Sequence, residues 1–257
     1  MSDASTAARM DFTGRVAAVT GGASGIGKGV CEAFAALGAD MAVVDVAADA
    51  AESVATDLES DFGVDAVAVE TDVSEYEDAA AMVETVVDEL GRLDCLVNNA
   101  GIGESKPFAE TDPDDWDRTI GVCHYGTLNC SHAALDHMTG RGSGVIVNFA
   151  SDSFKGNDPG LAVYGAAKAA NVSFTKTLSN EVGDDGVRVN CVSPGTTRTP
   201  ATEDWIDEHE EGILRSYALS RIGDPSDIAD AVVFLCSDAA DWVTGQVLSV
   251  NGGYIRG

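Results

Sequence analysis

A tyrosine and a lysine one helical turn apart are the residues of this chain best suited to proton chemistry. They are Tyr164 and Lys168, and side chains at positions i and i+4 of a helix share a face. A phenol has a reference pKa of about 10, so it is a poor base at neutral pH until a nearby positive charge favours the phenolate. The ammonium of Lys168 would supply that charge. The pair therefore predicts an acid/base centre, although a Tyr-x-x-x-Lys pentapeptide alone occurs in many ordinary helices.

A serine lies upstream of this pair, at the end of a stretch that predicts a buried strand. Residues 144–151 form an apolar run, and Ser151 is its last residue. A hydroxyl at that position could hold a carbonyl or alcohol oxygen beside the phenol. The candidate catalytic residues are therefore Ser151, Tyr164 and Lys168.

A glycine-rich stretch near the start of the chain has the surroundings of a phosphate-binding loop. Residues 15–20 predict a short strand, residues 21–27 read GGASGIG, and a helical pattern follows until Gly38. Glycines let the backbone turn tightly and approach a pyrophosphate, whose charge then lies at the helix N-terminus. The stretch therefore predicts a dinucleotide-binding loop.

An acidic residue, Asp45, ends the next predicted strand, residues 40–45. It stands where a dinucleotide-binding βαβ unit places the group that binds the adenosine ribose. A carboxylate there accepts both ribose hydroxyls of NAD and repels the 2′-phosphate of NADP. The neighbouring positions carry no basic residue, because Ser24 occupies the loop and Val46 follows the acid. The sequence therefore favours NAD over NADP.

The rest of the chain alternates strands with helices. Predicted strands cover residues 64–70, 93–97, 144–151, 187–192 and 246–250, and predicted helices cover 48–62, 74–90, 114–137, 163–182 and 225–235. The alternation predicts an α/β fold with right-handed crossovers, in which a single Rossmann-type, doubly wound sheet of about seven parallel strands has helices on both faces. Ligands of such sheets bind at the carboxyl ends of the strands. We expect residues 1–257 to form one domain, in which the polar segment 196–220 is an inserted lid over the substrate.

The charge of the chain limits its partners. Its 257 residues carry 43 acidic and 15 basic side chains, for a net charge of −28. This imbalance excludes nucleic acid and anionic membranes as partners. The carboxylates are spread along the chain and lysines are few, which is typical of proteins from salt-accumulating organisms, where ions screen the repulsion. The sequence thus predicts an acidic surface of halophilic type.

Cysteine usage and the chain start predict a cytoplasmic protein. The six cysteines form no Cys-x-x-Cys pair, which favours free thiols in a reducing compartment. Residues 1–6 lack the basic and apolar regions of a signal peptide, and no apolar run approaches the length of a membrane span. No metal is predicted, because ligand spacing is absent from the four histidines, His124, His132, His137 and His209.

Taken together, these motifs resemble the short-chain dehydrogenase/reductase family over nearly the whole chain. The matching stretches are residues 20–27, Asp72-Val73, residues 98–101, Ser151 with Tyr164 and Lys168, and Pro194-Gly195. The resemblance implies a nicotinamide cofactor, a small-molecule substrate and usually a homotetramer. It makes Tyr164 the acid/base, Lys168 the residue that favours the phenolate and binds the nicotinamide ribose, and Ser151 the holder of the substrate oxygen.

The same resemblance implies the cofactor contacts. Asp72 would bond the adenine amino group with Val73 beside it, Asn98 and its turn would line the cofactor, and Pro194 and Gly195 would flank the nicotinamide. The predicted cofactor-binding residues are Gly21, Ser24, Gly25, Ile26, Gly27, Asp45, Asp72, Val73, Asn98, Ala100, Gly101, Tyr164, Lys168, Pro194, Gly195, Thr197 and Thr199.

One position departs from the family pattern. Cys123 stands where the family usually has an asparagine that helps a water-linked proton relay from the lysine to solvent. A thiol is a weaker hydrogen-bonding group, although a backbone carbonyl at this place could still hold a water. We therefore add Cys123 to the predicted catalytic residues, with an altered relay, against the alternative of a small core residue without a role.

The substrate is the least determined part of the prediction. Residues 148–153 and 244–253 resemble the branch that contains cyclic hydroxyacyl-CoA dehydrogenases. The main interpretation is an NAD-linked dehydrogenase of secondary alcohols with an unspecified substrate, since 3-oxoacyl-carrier reductases more often use NADPH. The same segments resemble 3-oxoacyl-carrier reductases, and a non-catalytic cofactor-binding protein of this fold is a further alternative. In the lid and directly after it, Arg198, Arg215 and Arg221 could meet an anionic substrate or pair with neighbouring acids.

Overall fold

A seven-stranded parallel sheet forms the centre of the computed structural model, which describes residues 8–156 and 158–255. The strands are β1 (Val16–Thr20), β2 (Asp40–Asp45), β3 (Ala66–Glu70), β4 (Cys95–Asn98), β5 (Gly144–Phe149), β6 (Val187–Pro194) and β7 (Val247–Val250). Their order is β3-β2-β1-β4-β5-β6-β7, and every neighbouring pair is parallel. The predicted α/β class and doubly wound parallel sheet are confirmed.

Helices cover both faces of this sheet. They are α1 (Gly25–Ala36), α2 (Ala48–Phe62), α3 (Tyr76–Leu90), α4 (Pro113–Ile120), α5 (Gly126–Arg141), α6 (Ala162–Glu181), α7 (Glu203–Leu214) and α8 (Pro225–Cys236). Buried side chains of α1, α2 and α8 form one apolar core with the sheet, and those of α3, α5 and α6 form the other. Within the described ranges, no helix is both long and apolar enough to cross a membrane.

The connectivity brings the predicted motifs to one edge of the sheet. Because all strands are parallel, the residues that follow them lie at the same carboxyl edge. The chain reverses its winding direction between the adjacent strands β1 and β4, and such a switch point opens a crevice for ligands. The glycine loop follows β1, and the segment that starts at Asn99 follows β4. These two segments therefore border the crevice.

Three differences from the predicted elements bear on the site. The helix expected over residues 114–137 is two helices, α4 and α5, joined by one π-helical turn at Gly121–Tyr125. The strand expected to reach residue 151 ends at Phe149, because Ser151 starts the turn Asp152–Lys155 and its Oγ accepts a hydrogen bond from the Ser153 amide. The lid segment contains a helix, α7, anchored by the buried Ile206. Residues 1–6, which bear on the signal-peptide prediction, lie outside the described residues.

Candidate active site

Tyr164 and Lys168 lie in the first two turns of α6. The Lys168 Nζ is 5.7 Å from the centroid of the Tyr164 ring, and the lysine is only 2% exposed. In the described part of the chain, no side chain or carbonyl forms a hydrogen bond or ion pair with this ammonium. A buried charge without a partner is costly, so the ammonium is available to hydroxyls of a ligand or to water.

Two glycines after β4 let the chain lie directly on these side chains. A Cβ on Gly101 would stand 3.1 Å from the Lys168 Nζ, and one on Gly103 would stand 3.2 Å from a ring carbon of Tyr164. Either contact is closer than a side chain normally tolerates, so the approach of this segment depends on glycine. The family pattern placed Gly101 among the predicted cofactor-binding residues, whereas the sequence analysis did not identify Gly103.

Ser151 lies beyond the end of β5 in a chain of hydroxyl groups. Its Oγ accepts from the Ser153 amide at 3.3 Å and donates to the Ser153 Oγ at 3.2 Å, which in turn donates to Asp158 at 2.6 Å. A serine hydroxyl has one donor and two acceptor sites. The Ser151 oxygen therefore has acceptor capacity left for a further group at the carboxyl edge.

A buried carboxylate next to Ser151, which sequence reasoning missed, ties three strand ends together. Asp152 is 2% exposed and accepts hydrogen bonds from Ser193 at 2.9 Å and from the Asn251 amide, while the Lys155 ammonium lies 3.3 Å away. These partners follow or end β5, β6 and β7. This network fixes the turn that carries Ser151. The only feature of the sequence that could have indicated it is the acidic residue next to the serine.

The glycine loop has the shape of a phosphate cradle. Gly21 and Gly25 have φ values of +64° and +52°, in the left-handed region that favours glycine. A Cβ on Gly27 would lie 1.9 Å from the Gly21 carbonyl oxygen, so no side chain fits at the start of α1. Asn99, which the sequence analysis did not single out, donates to the carbonyls of Thr20 at 2.8 Å and Gly21 at 3.2 Å. The loop is thus held open from β4.

The two predicted acids at the edge also fix their own loops. Asp45 is half-buried, and its two oxygens accept from the Ala23 amide at 3.1 Å and the Ala47 amide at 3.0 Å. Asp72 is exposed, and one oxygen accepts from both the amide and the hydroxyl of Ser74. Carboxylate oxygens accept more than one bond each, so both acids have capacity left for a ligand.

Two predicted cofactor residues face the interior of the protein. Asn98 is 3% exposed, and its amide donates to Ser131 at 2.9 Å and to Asn148 at 2.8 Å, while its Oδ1 has no partner in the described residues. Val73 is 7% exposed and packs against Gly126. Because successive strand residues face opposite sides, Asn99 rather than Asn98 points toward the glycine loop. For these two side chains, cofactor contact stays a prediction.

The segment after β6 reaches across to the glycine loop. Pro194 ends the strand, and the Thr197 hydroxyl donates to the Gly195 carbonyl at 3.1 Å. The methyl group of Thr199 lies 3.2 Å from where a Gly25 Cβ would stand. The start of the lid therefore lies beside the glycine loop, and cofactor contact by Thr199 stays a prediction.

The lid is joined to the C-terminal segment by two stacked tyrosines. The rings of Tyr217 and Tyr254 are 5.1 Å apart, and the Tyr217 oxygen accepts from the Thr196 amide at 2.6 Å. Tyr254 donates to Asp158 at 3.3 Å, and both burial and that carboxylate raise the pKa of Tyr254. The C-terminal segment thus links the lid to the hydroxyl chain of Ser151.

The arginines in the lid and directly after it all have acidic partners. Arg198 pairs with Asp207 at 2.6 Å, Arg215 with Glu211 at 3.2 Å, and Arg221 with Asp227 at 2.6 Å. Of the two alternatives for these arginines, the structure thus shows the ion pairs.

A small cavity of about 30 Å³ lies beside Tyr164. The ion pairs Lys106–Asp115 (2.7 Å) and Arg118–Glu104 (3.2 Å) contribute to its wall, and the rings of Phe108 and Trp116 stack nearby at 5.7 Å. Paired charges and an aromatic stack suit a small molecule that is not strongly charged. In the described residues there is no cluster of three or more potential metal ligands.

Cys123 lies at the π-helical turn, close to Lys168. It is fully buried, and its Sγ is 3.6 Å from where a Gly101 Cβ would stand. The thiol contacts both backbone groups of Ile102, since it donates to the carbonyl at 3.1 Å and accepts from the amide at 3.3 Å. The Cys123 carbonyl, which the sequence suggested as a water holder, accepts a bond from the Asn171 amide at 2.8 Å.

Comparisons with known proteins agree with this geometry. A family model described as Enoyl-(Acyl carrier protein) reductase matches residues 21–255. The chain is 38% identical over 244 residues to the meso-2,3-butanediol dehydrogenase of Serratia marcescens, which covers 95% of this chain and 96% of that protein. It is 36% identical over 239 residues to a 3-oxoacyl-acyl-carrier-protein reductase of Chlamydia muridarum, with 93% and 96% covered. A solved 7α-hydroxysteroid dehydrogenase complexed with NADH and 7-oxo glycochenodeoxycholic acid superposes with a TM-score of 0.92 at 33% identity, covering 97% of each chain.

Proposed function

The chain belongs to the short-chain dehydrogenase/reductase family of oxidoreductases, and we propose that it exchanges a hydride between NAD(H) and a secondary alcohol or ketone. The observation that carries the proposal is the buried Lys168 ammonium, which lies beside the Tyr164 ring without a protein partner in the described residues. An idle site would have no chemical need for this arrangement beside Ser151. A non-catalytic binding protein is therefore the weaker alternative.

The residues at the carboxyl edge fit a dinucleotide. The backbone at Gly21, Gly25 and Gly27 turns too tightly to carry side chains, which leaves main-chain amides at the start of α1 for a pyrophosphate, and Lys168 has free donors for ribose hydroxyls. We assign Asp45 to the adenosine ribose and Asp72 to the adenine amino group. NAD is favoured over NADP because the Asp45 carboxylate would repel a 2′-phosphate.

The chain's own groups handle the proton and the substrate oxygen. The Ser151 hydroxyl turns from the Ser153 oxygen to the substrate and donates a hydrogen bond to its alcohol or carbonyl oxygen. Tyr164 takes the alcohol proton in oxidation and returns it in reduction, while the Lys168 ammonium stabilises the phenolate. The bound nicotinamide supplies the hydride chemistry. Pro194, Gly195, Thr197 and the lid exclude water from the site.

A second candidate function is the reduction of 3-oxoacyl groups on a carrier. The 36% identity to the Chlamydia muridarum reductase favours it. The 38% identity to the meso-2,3-butanediol dehydrogenase of Serratia marcescens favours a compact alcohol instead. Both candidates use the same three catalytic residues.

We also propose a cytoplasmic homotetramer adapted to high salt. The net charge of −28 supports the salt adaptation, because ions screen the repulsion between carboxylates.

Exposed apolar side chains in and just before the edge strand β7, including Trp242 (97% exposed) and Leu248 (37%), support association of subunits. Thermal unfolding in increasing KCl and light scattering test these two points; a melting temperature that falls with KCl, or a monomer, would contradict them.

The decisive experiment measures absorbance at 340 nm with NAD or NADP against secondary alcohols, and with NADH or NADPH against ketones and 3-oxoacyl thioesters. We expect turnover of a small alcohol with NAD and its loss in Tyr164→Phe. Tyr76→Phe, a partly exposed tyrosine on α3 that bonds His132, is the matched control and should keep its activity. Unchanged turnover in Tyr164→Phe would rule out the proposed chemistry.

A further inference from the structure

A second asparagine lies beside Cys123, the position where the family pattern has an asparagine and this chain does not. Asn171 is on α6, three residues after Lys168, and is fully buried. Residues at i and i+3 of a helix share a face, so Asn171 is on the Lys168 side of α6. Neither the family resemblance nor the motif spacing assigned this residue any role.

The amide group of Asn171 joins three elements of the site. Its Nδ2 donates to the Cys123 carbonyl at 2.8 Å and lies within bonding distance of the Phe149 carbonyl at 3.1 Å and the Thr127 hydroxyl at 3.2 Å. Cys123 belongs to the π-helical turn, and Phe149 is the last residue of β5, two positions before Ser151. One side chain thus connects the helical break, the strand that delivers Ser151 and the helix that delivers Tyr164 and Lys168.

The orientation of this amide follows from the carbonyls around it, and a histidine contacts its oxygen. The Asn171 Oδ1 lies 2.7 Å from the Nδ1 of His124. Because the Asn171 nitrogen faces carbonyl acceptors, its oxygen must accept, and the His124 Nδ1 must therefore carry a hydrogen. The reversed amide would face two carbonyls with an oxygen, which is unfavourable. The carbonyls of Cys123 and Phe149 thus set the orientation of the Asn171 amide, and His124 donates to its oxygen.

The contacts of Cys123 return to Lys168 and close a ring. The Cys123 thiol bonds both the amide and the carbonyl of Ile102, which fixes the segment after β4. Gly101, the preceding residue, lies against the Lys168 Nζ, since a Cβ there would be 3.1 Å from it. The contacts run from Asn171 through Cys123 and Ile102 to the Lys168 ammonium, and the ring closes because Asn171 and Lys168 are both on α6.

We propose that Asn171 is the positioning residue of this active site, and that with Cys123 it replaces the asparagine that the family pattern has at position 123. Its amide holds the helical break from α6, and through the Cys123 thiol it holds the Gly101–Ile102 segment against Lys168. The ammonium, which has no other fixed partner in the described residues, stays beside the Tyr164 ring for that reason. The inference rests on the proposed function, because it assigns Lys168 to cofactor binding and proton transfer.

The test compares Asn171→Ala with a matched control, Asn190→Ala. Asn190 in β6 is equally buried, and it donates to the Val243 carbonyl at 2.8 Å and accepts from the Gln246 amide at 3.0 Å, away from the catalytic residues. Both variants should lose similar thermal stability. Only Asn171→Ala should lower kcat, by about 10- to 100-fold because misplacement of catalytic groups has effects of this size, and move the acidic limb of the pH–rate profile upward.

Rescue separates positioning from a general structural role. Cys123→Asn alone crowds a fully buried site and should also lower kcat. Combined with Asn171→Ala, which removes side-chain volume next to the same helical turn, it supplies the amide that the family pattern has at position 123, and kcat should recover to within about tenfold of wild type. If the double variant is no better than Asn171→Ala, or if Asn171→Ala keeps the wild-type kcat and pH profile, the proposal is wrong.

NADH binding gives a readout that does not need turnover. Fluorescence titration should show weaker NADH binding in Asn171→Ala and wild-type affinity in Asn190→Ala. Should wild type turn over no substrate, the proposed function fails, and this titration alone decides whether Asn171 positions Lys168. Asn171→Asp keeps the side-chain shape but removes the donor to Cys123, so it replaces Asn171→Ala if that variant does not fold; wild-type NADH affinity in Asn171→Asp would then overturn the proposal.

Discussion

The two edges of the same sheet treat charged groups in opposite ways. At the carboxyl edge, the Lys168 ammonium is buried without a protein partner in the described residues, and Asp45 and Asp72 keep acceptor capacity. At the amino edge, a larger groove of about 590 Å³ is lined by Arg15, Arg92 and Arg188. At the amino edge the charged side chains instead form ion pairs with one another or donate to backbone carbonyls.

Asp94 shows this most clearly. Its carboxylate accepts from Arg92 at 2.6 and 2.7 Å, from Arg141 at 2.9 Å and from the Val16 amide at 2.9 Å. Burial alone would raise the pKa of Asp94, but the bonds from Arg92, Val16 and Arg141 outweigh it and hold the pKa below its usual value. This carboxylate therefore stabilises the fold and has little capacity for a ligand.

Arg188, in contrast, donates its hydrogen bonds to backbone carbonyls rather than to a carboxylate. Its guanidinium donates to the carbonyls of Leu235 at 2.8 Å, Val243 at 3.1 Å and Ser237 at 3.2 Å. Burial lowers the pKa of Arg188, with a partial opposing effect from nearby acidic groups. The comparison teaches that the size of an opening does not identify the site. Asp94 and Arg188 at the larger groove are bonded within the protein, whereas the smaller cavity is lined by Tyr164, whose ring lies beside the unpaired Lys168 ammonium.

The largest expected effect comes from a substitution at the carboxyl edge of the sheet. Lys168→Met removes the buried charge and keeps the length of the side chain, so kcat should fall by about 10²- to 10⁴-fold, the usual range for lost acid/base assistance. The melting temperature should stay the same or rise, because an unpaired buried charge is replaced by an apolar group. Lys176→Met, an exposed lysine on the same helix, is the control for both measurements. A large loss of stability in Lys168→Met would contradict the contrast between the edges.

The converse change at the amino edge is Asp94→Ala. It leaves Arg92, Arg141 and the Val16 amide without their acceptor, and it should lower the free energy of unfolding by about 3 kcal/mol. Urea unfolding measures the loss, and kcat at saturating substrate should not change. Asp88→Ala, an exposed acid on α3, should have little effect on either quantity. A fall in kcat without a fall in stability would show that this edge takes part in function.

A change at Asp45 sharpens the comparison, because this acid both fixes a loop and faces the proposed ribose site. Asp45→Ser removes the charge that opposes a 2′-phosphate, so the ratio of kcat/KM for NAD to that for NADP should fall by about tenfold or more. Some stability should also be lost, since the amides of Ala23 and Ala47 lose their acceptor. An unchanged ratio would contradict the assignment of Asp45 to cofactor selection.

The smallest expected effect concerns acid stability. The folded pKa of Asp94 is lowered below its unfolded value of about 3.9, so its contribution is complete above that pH and is lost as the pH falls through the folded pKa. The difference in unfolding free energy between wild type and Asp94→Asn should therefore be constant from pH 7 to about pH 5 and shrink below about pH 4. A difference that grows on acidification would contradict the ion-pair explanation.

The sequence by itself determined the α/β alternation, the glycine loop and the positions of Ser151, Tyr164 and Lys168. These follow from local signals, namely the periods of helix and strand, the glycine requirement and the i, i+4 spacing. Such signals act over a few residues and are visible without the fold. They did not show that Asn99, rather than Asn98, would face the glycine loop, because the exact strand boundary sets which side each residue faces.

Only the tertiary structure decided which polar groups are saturated. Asp152 and Asn251 are 99 positions apart and bond to each other, and Asn171 meets a carbonyl 48 positions away at a helical break that the sequence predicted as continuous helix. A hydrogen bond depends on distance and angle between side chains that distant elements bring together. For that reason the availability of Lys168, and the saturation of the arginines at the opposite edge, follow from the packed fold rather than from any motif.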